Sequence, residues 1–199
     1  MIYTDPFIYS DKTREYDFTH FYFFENIFSE EECNEIIRIG ENSNLFEGRV
    51  GGGENDLRTS IRKSEIGFLE YDPEYSWIFD KIAECAIEAN NAMWDFDVWG
   101  FGDGLQYTKY YEDGGHYDWH FDVGATVANR KISIVLQLSE PEEYDGGLLQ
   151  LNLGNQVVEV PRSKGNVAIF PSYLLHRVTP VVAGERKSLV AWISGPTFR

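Results

Sequence analysis

The chain has 199 residues, 43% hydrophobic and 16% aromatic, and its 33 acidic against 17 basic residues give a formal charge of −16. That composition excludes a disordered or fibrous chain and suits a single domain over residues 1–199, with helices supporting it over 1–99 and a β core over 100–199. The acidic balance disfavours a nucleic-acid partner, no apolar run nears the roughly 20 residues of a membrane span, and Met1 to Ser10 shows no secretory pattern, so a cytoplasmic protein is expected.

In chain order, His20 to Phe28 is aromatic and reads as a strand, with His20 a structural histidine. Ser29-Glu30-Glu31-Glu32 reads as a helix start, because Ser29 can cap free N–H groups and Glu32 stands where a capping box needs it. Ile36, Ile37 and Ile39 follow at helical spacing, and Gly40 lies near the end. Gly51-Gly52-Gly53 with Glu54, Asn55 and Asp56 reads as a loop, and Arg58 and Arg62 after it as solvated loop residues, with a place lining the substrate entrance as the alternative. A second helix is expected from Pro73 to Met93, with Trp77, Ile78, Ile82, Ala86 and Ile87 on or near one face. Cys33 and Cys85 form no close pair and read as free thiols on these helices.

After Trp99 short apolar runs alternate with turn residues. Leu105 to Tyr111, Tyr117 to Val123, Lys131 to Leu138, Leu148 to Leu153, Gln156 to Val160, Asn166 to Phe170 and Leu189 to Ser194 read as strands, punctuated by Gly114-Gly115, Asp145-Gly146-Gly147 and Ala183-Gly184. Gly100-x-Gly102-x-Gly104 lacks the full spacing of a phosphate loop and reads as a turn. Strands at this spacing after two helices predict a mainly β fold with supporting α-helices: a jelly-roll, cupin-like barrel of the double-stranded β-helix kind.

The richest segment is Gly114-Gly115-His116-Tyr117-Asp118-Trp119-His120-Phe121-Asp122. Strand side chains alternate, so His116, Asp118, His120 and Asp122 are expected on one face and Tyr117, Trp119 and Phe121 on the other. An imidazole and a carboxylate two apart can reach one metal, and His176 is the natural third donor. Two histidines and one carboxylate on one side of a metal leave positions open for a bidentate keto acid and dioxygen, the facial triad of non-haem Fe(II) oxygenases. His116-x-Asp118 has the same spacing as His120-x-Asp122, and spacing alone does not choose between them. Arg186, ten residues after His176, has a planar fork that matches the far carboxylate of a keto diacid; taken alone, it reads rather as an ordinary surface charge in Gly184-Glu185-Arg186-Lys187.

The order Leu105-Gln106, Tyr110, Gly114-Gly115, Tyr117, His120-x-Asp122, Asp145-Gly146-Gly147-x-Leu149, Phe170-Pro171, His176-Arg177-Val178-Thr179-Pro180-Val181, Gly184-x-Arg186 and Trp192 resembles the prolyl 4-hydroxylase branch of the Fe(II)/2-oxoglutarate dioxygenases. It is particularly similar to the bacterial and viral procollagen-lysyl/prolyl-type hydroxylases. The resemblance covers residues 100–199, and Phe28 to Cys33 also resembles the helix that opens the family's catalytic domain.

The resemblance implies that His120, Asp122 and His176 are the iron ligands and that Arg186 anchors 2-oxoglutarate. It implies a co-substrate contact for Tyr110, with Tyr111 as rival, a place near the metal for Trp192, whose alternative is a core aromatic on a barrel strand, and a polar contact to the far carboxylate for Gln137, where relatives carry tyrosine or threonine. The cofactors implied are Fe(II), 2-oxoglutarate and O2, with ascorbate as reductant. The reaction implied is hydroxylation of an amino-acid side chain, foremost peptidyl proline, with release of succinate and CO2. Related halogenases lack the carboxylate that Asp122 supplies, so its presence favours hydroxylation. A lysyl residue or a free amino acid is the alternative substrate. The alternatives in class are a keto-acid-independent cupin enzyme, which has no use for Arg186, and a jelly-roll binding module, which has no use for the metal set.

Overall fold

The computed structural model describes residues 21–48 and 58–198; His20 and the Gly51–Asp56 segment lie outside them. Helix α1 (Glu30–Glu41) starts as its sequence requires. The Ser29 hydroxyl accepts from the Glu32 N–H and the Glu32 carboxylate from the Ser29 N–H, closing the capping box. Helix α2 (Ser76–Met93) follows a single 3-10 turn at Pro73–Tyr75. Its buried face is Ile78, Phe79, Ile82, Cys85, Ala86 and Ala89. Ile87, expected on or near that face, is 56% exposed, because one residue past Ala86 turns it about 100° out of the stripe. Both cysteines are free, and burial pushes each thiol up to about 11, so they behave as small apolar groups. No helix among the described residues is long and apolar enough to cross a membrane.

Fourteen strands occur among the described residues: β1 (Tyr22–Phe24), β2 (Phe46–Glu47), β3 (Arg62–Lys63), β4 (Glu65–Leu69), β5 (Gly100–Phe101), β6 (Leu105–Tyr111), β7 (His116–His120), β8 (Arg130–Gln137), β9 (Tyr144–Gly146), β10 (Leu149–Asn152), β11 (Val157–Glu159), β12 (Val167–Pro171), β13 (His176–Val178) and β14 (Val181–Ser194). They form a larger antiparallel sheet in the order β1-β12-β8-β14-β6-β4-β2, with β5 and β9 added to β14, and a smaller one in the order β11-β10-β13-β7-β3. The two sheets make the double-stranded β-helix that the strand spacing predicts.

The larger sheet is covered on both faces, so its central strands read as nearly continuous buried runs. On the outer face Leu105, Tyr107, Ile132, Ile134, Leu136, Leu189, Ala191 and Ile193 pack with α1 and α2. Gly40 allows this contact, since a Cβ there would lie 2.4 Å from the Tyr107 ring. The alternate residues point between the sheets, where Tyr110, Val135, Ala168 and Phe170 meet Leu149, Leu151 and Val178 of the smaller sheet.

The strand expected at Leu189–Ser194 begins eight residues earlier, at Val181. Its first part pairs with β9 and its centre with β6 and β8, so a polar stretch, Gly184-Glu185-Arg186-Lys187, is held by partners on either side. The short strands β2, β3, β4, β5, β9 and β13 carry no long apolar run, which is why periodicity does not reveal them.

Candidate metal and keto-acid site

A cavity of about 730 Å³ opens between the sheets. His120, Asp122, His176, Tyr110, Arg186 and Trp192 line it, as does Arg62. The donor atoms of His120, Asp122 and His176 all lie within 4.8 Å of one another, the one such cluster found among the described residues. His120 Nε2 is 3.7 Å from Asp122 Oδ1, and His176 Nε2 is 3.4 Å from Asp122 Oδ2.

Each imidazole is oriented by its own backbone. His120 Nδ1 donates to the Asp118 carbonyl at 2.7 Å, and His176 Nδ1 to the Leu174 carbonyl at 2.8 Å. That tautomer turns both Nε2 lone pairs toward the carboxylate, as a metal requires. Burial, then the adjacent His176, drives the His120 imidazole far below its usual pKa, so it stays neutral at pH 7. Burial opposes charge on Asp122, but His176, His120 and the Ser133 hydroxyl outweigh it and keep the carboxyl below its usual pKa. A neutral His120 imidazole and an ionised Asp122 carboxylate, with His176 Nε2 turned to the same point, fit a divalent iron ion.

The first histidine–aspartate pair is elsewhere. His116 turns Nδ1 to the Gly114 carbonyl at 2.8 Å and Nε2 to the Ser60 carbonyl at 3.4 Å, while exposed Asp118 accepts from the Trp119 N–H. Two expectations for this segment need correction. The strand ends at His120, so Asp122 is not a strand residue but follows it in a turn held by the Ser172 carbonyl, which accepts from the N–H groups of Asp122 and Val123 at 3.0 and 3.3 Å. Tyr117 also does not point away from His120: its ring stacks on that imidazole, centroids 3.4 Å apart. The cause is a bulge. His176 pairs with His120 and Val178 with Tyr117, so three steps on β7 oppose two on β13 and the alternation breaks.

Arg186 is 1% exposed. Its Nη2 donates to Gln137 Oε1 at 3.0 Å and its Nη1 to Ser188 Oγ at 3.3 Å, while Nε has no partner. No acidic side chain pairs with this buried cation among the described residues, and an unbalanced buried charge calls for an anion. Gly147 keeps the space beside it open: its φ is +58°, and a Cβ there would lie 3.1 Å from Arg186 Cδ. The residues therefore fit a keto diacid between the metal trio and the guanidinium.

Tyr110 pairs with Arg186 across β6 and β14, and the guanidinium lies 5.5 Å from its ring. Tyr111 points the other way and donates to the Glu65 carboxylate. Gln137 gives its carbonyl oxygen to Arg186, so its contact is with the guanidinium. Trp192 turns its buried indole N–H toward the Asp122 carboxylate, short of full hydrogen-bond geometry but near enough to help hold that carboxyl charged, and the Arg130 guanidinium lies 3.7 Å from its ring.

Arg62 is not the solvated loop residue preferred from the sequence; it lines the cavity, in keeping with the alternative reading. It lies on β3, is buried, donates from Nε to Ser64 Oγ at 2.9 Å, and covers the Tyr117 ring at 4.6 Å. Sequence reasoning missed Ser133, which donates to Asp122 Oδ2 at 2.6 Å and meets Ser172 Oγ at 3.0 Å. The one available signal was a lone hydroxyl in the apolar run Ile132-Ser133-Ile134-Val135.

Residues 105–194 match the family model of the 2OG-Fe(II) oxygenase superfamily. A PKHD-type hydroxylase of Colwellia psychrerythraea is 40% identical over 84 residues, which is 40% of this chain and 38% of that protein. The chain spans about two fifths of the length of this relative and of a second one so named in Teredinibacter turnerae. A prolyl 4-hydroxylase of Pseudomonas putida has the same fold, with a TM-score of 0.71 at 20% identity over 89% of this chain and 93% of that one. So does a prolyl hydroxylase of Trichoplax adhaerens, solved with a peptide of hypoxia-inducible factor, with a TM-score of 0.72 at 18% identity over 88% and 84%. Residues 105–194 are thus similar to the 2OG-Fe(II) oxygenase superfamily, and the chain shares its fold with the prolyl 4-hydroxylase of Pseudomonas putida.

Proposed function

We propose that this protein is an Fe(II)- and 2-oxoglutarate-dependent dioxygenase that hydroxylates an amino-acid side chain, foremost a prolyl residue within a peptide or protein. The observation that carries the reading is Arg186, a buried cation without a carboxylate partner among the described residues, facing the same cavity as the His120–Asp122–His176 trio. In this reading the trio holds iron by three donors on one side. Arg186 takes the far carboxylate of 2-oxoglutarate, with Gln137 and Ser188 fixing the plane of its fork. Tyr110 and Trp192 wall the space between and keep water from it. Iron and 2-oxoglutarate, when bound, supply the oxidising chemistry with O2 and release succinate and CO2, with ascorbate as a reductant.

The test is anaerobic titration with Fe(II) and then 2-oxoglutarate, followed by the weak visible charge-transfer band of the chelate. The band is expected in the wild type and absent in His176→Ala. Iron binding without a band points to a keto-acid-independent enzyme, and no iron binding points to a binding module.

A peptide rather than a free amino acid is supported by the reach of the cavity. Its wall continues to Phe46 and Phe68, a stacked pair with centroids 6.3 Å apart, 42% and 38% exposed. They stand on β2 and β4, and β2 is three strands from β14, or roughly 14 Å at about 4.8 Å per strand. A chain gains at most about 3.5 Å per residue, so a substrate reaching from Trp192 of β14, beside the Asp122 carboxylate, to Phe46 of β2 needs about four residues. Phe68→Ala is expected to raise KM for proline peptides of six or more residues by about tenfold, the loss of one buried aromatic contact, and to leave dipeptide turnover unchanged. Equal effects on long and short substrates would remove the support for a peptide groove.

A further inference from the structure

We propose that Ser133 is a positioning residue that keeps Asp122 monodentate and so holds a coordination position open. This rests on the iron-site reading above. Within the trio nothing selects one carboxylate oxygen over the other: Oδ1 faces His120 Nε2 at 3.7 Å and Oδ2 faces His176 Nε2 at 3.4 Å. A carboxylate so placed can offer a metal both oxygens. Ser133 breaks the symmetry. Its hydroxyl donates to Oδ2 at 2.6 Å, the short distance typical of an O–H group on a charged oxygen.

The hydroxyl is itself held. Ser133 is fully buried on β8, opposite Phe170 of β12 and Trp192 of β14, and its Oγ lies 3.0 Å from that of Ser172. Ser172 also fixes the backbone of Asp122, because its carbonyl accepts from the Asp122 N–H at 3.0 Å. Carboxylate and hydroxyl thus hang from one anchor, Ser172 directly after β12, and cannot drift apart independently.

The consequence lies in the count of positions. Three protein donors leave three of six sites, two for a keto acid and one for dioxygen. A carboxylate that turns to chelate through both oxygens takes one of them. A hydroxyl occupying Oδ2 prevents that turn.

The experiment uses the whole chain with Co(II), followed by calorimetry and by visible d–d absorption, whose intensity and position report coordination number. Ser133→Ala is expected to weaken Co(II) by ten- to a hundredfold, the usual cost of losing a partner of a metal ligand, to shift the d–d bands, and to weaken 2-oxoglutarate binding to the Co(II) form. Ser133→Thr, which keeps the hydroxyl, is expected to retain the wild-type bands. A Ser133→Ala protein with wild-type affinity and bands overturns the proposal. So does a Ser133→Thr protein that behaves like the alanine variant while melting at the wild-type temperature in EDTA. If wild type and His176→Ala both fail to bind Co(II), it is the iron-site reading that falls.

Discussion

Arg186→Met is expected to raise the melting temperature of the ligand-free protein while destroying its response to 2-oxoglutarate. The guanidinium is 1% exposed and is met by two neutral acceptors, Gln137 Oε1 and Ser188 Oγ, with no carboxylate among the described residues. Burying a charge so weakly balanced costs several kcal/mol. The Tyr110 ring, 5.5 Å away, returns about 1 kcal/mol. Methionine has a similar length and no charge, and its own cost is to leave Gln137 without its donor, about 1–3 kcal/mol. The balance favours the variant by about 1–3 kcal/mol, or roughly 3–8 °C for a chain of this length.

The other half of the prediction has the opposite sign. Two hydrogen bonds from a guanidinium to a carboxylate contribute about 3–5 kcal/mol, so their loss weakens 2-oxoglutarate by a factor of about 10² to 4 × 10³. In the wild type, co-substrate at a hundred times its Kd adds about 2.7 kcal/mol of stability. The methionine variant should gain at most about 0.4 kcal/mol at that concentration, a shift of about 1 °C. Thermal unfolding of both proteins, with and without 2-oxoglutarate and a divalent metal, reads both halves at once. A variant that melts below the wild type and still shifts with 2-oxoglutarate would show that Arg186 is a structural cation. Lysine is no safe substitute, because a single ammonium cannot reproduce the planar fork.

The tension at Arg186 explains how far sequence alone could go. Elements with a dense local code were legible. The Ser29–Glu32 box starts α1, and the run from Leu105 to Tyr111 is a strand end to end. The double-stranded β-helix followed from strand spacing, and the grouping of His120, Asp122 and His176 from the chemistry of the donors and a family resemblance. What could not be read depends on contacts distant in sequence. Arg62 looks like loop charge, yet β3 carries it under the barrel rim onto Tyr117. Ser133 looks like a filler in an apolar strand until Asp122, eleven residues away, folds back onto it. The bulge that brings Tyr117 onto His120 is a property of β7 and β13 together. The choice of Tyr110 over Tyr111 is set by which face of β6 looks inward.

The duplicated histidine–aspartate spacing gives the sharpest mutational contrast. His120→Ala is expected to weaken Fe(II) or Co(II) by more than about a hundredfold, because three donors are the minimum that defines the site and two remain. His116→Ala is expected to leave the affinity within about threefold. Both residues lie on β7, and each uses Nδ1 to hold a nearby backbone carbonyl. They differ in Nε2. In His120 it faces the Asp122 carboxylate; in His116 it meets the Ser60 carbonyl at 3.4 Å. His116 Nε2 faces a carbonyl oxygen rather than a second metal donor, and the metal-donor cluster found among the described residues does not include it. Loss of His116 should therefore appear as a small decrease in stability, from the link between β7 and the segment before β3, with no change in metal stoichiometry. Calorimetric titration of the two variants with Co(II) decides the matter. Binding retained in His120→Ala and lost in His116→Ala would move the site to the first pair and, with it, away from Arg186, since only the second pair shares the cavity with that cation.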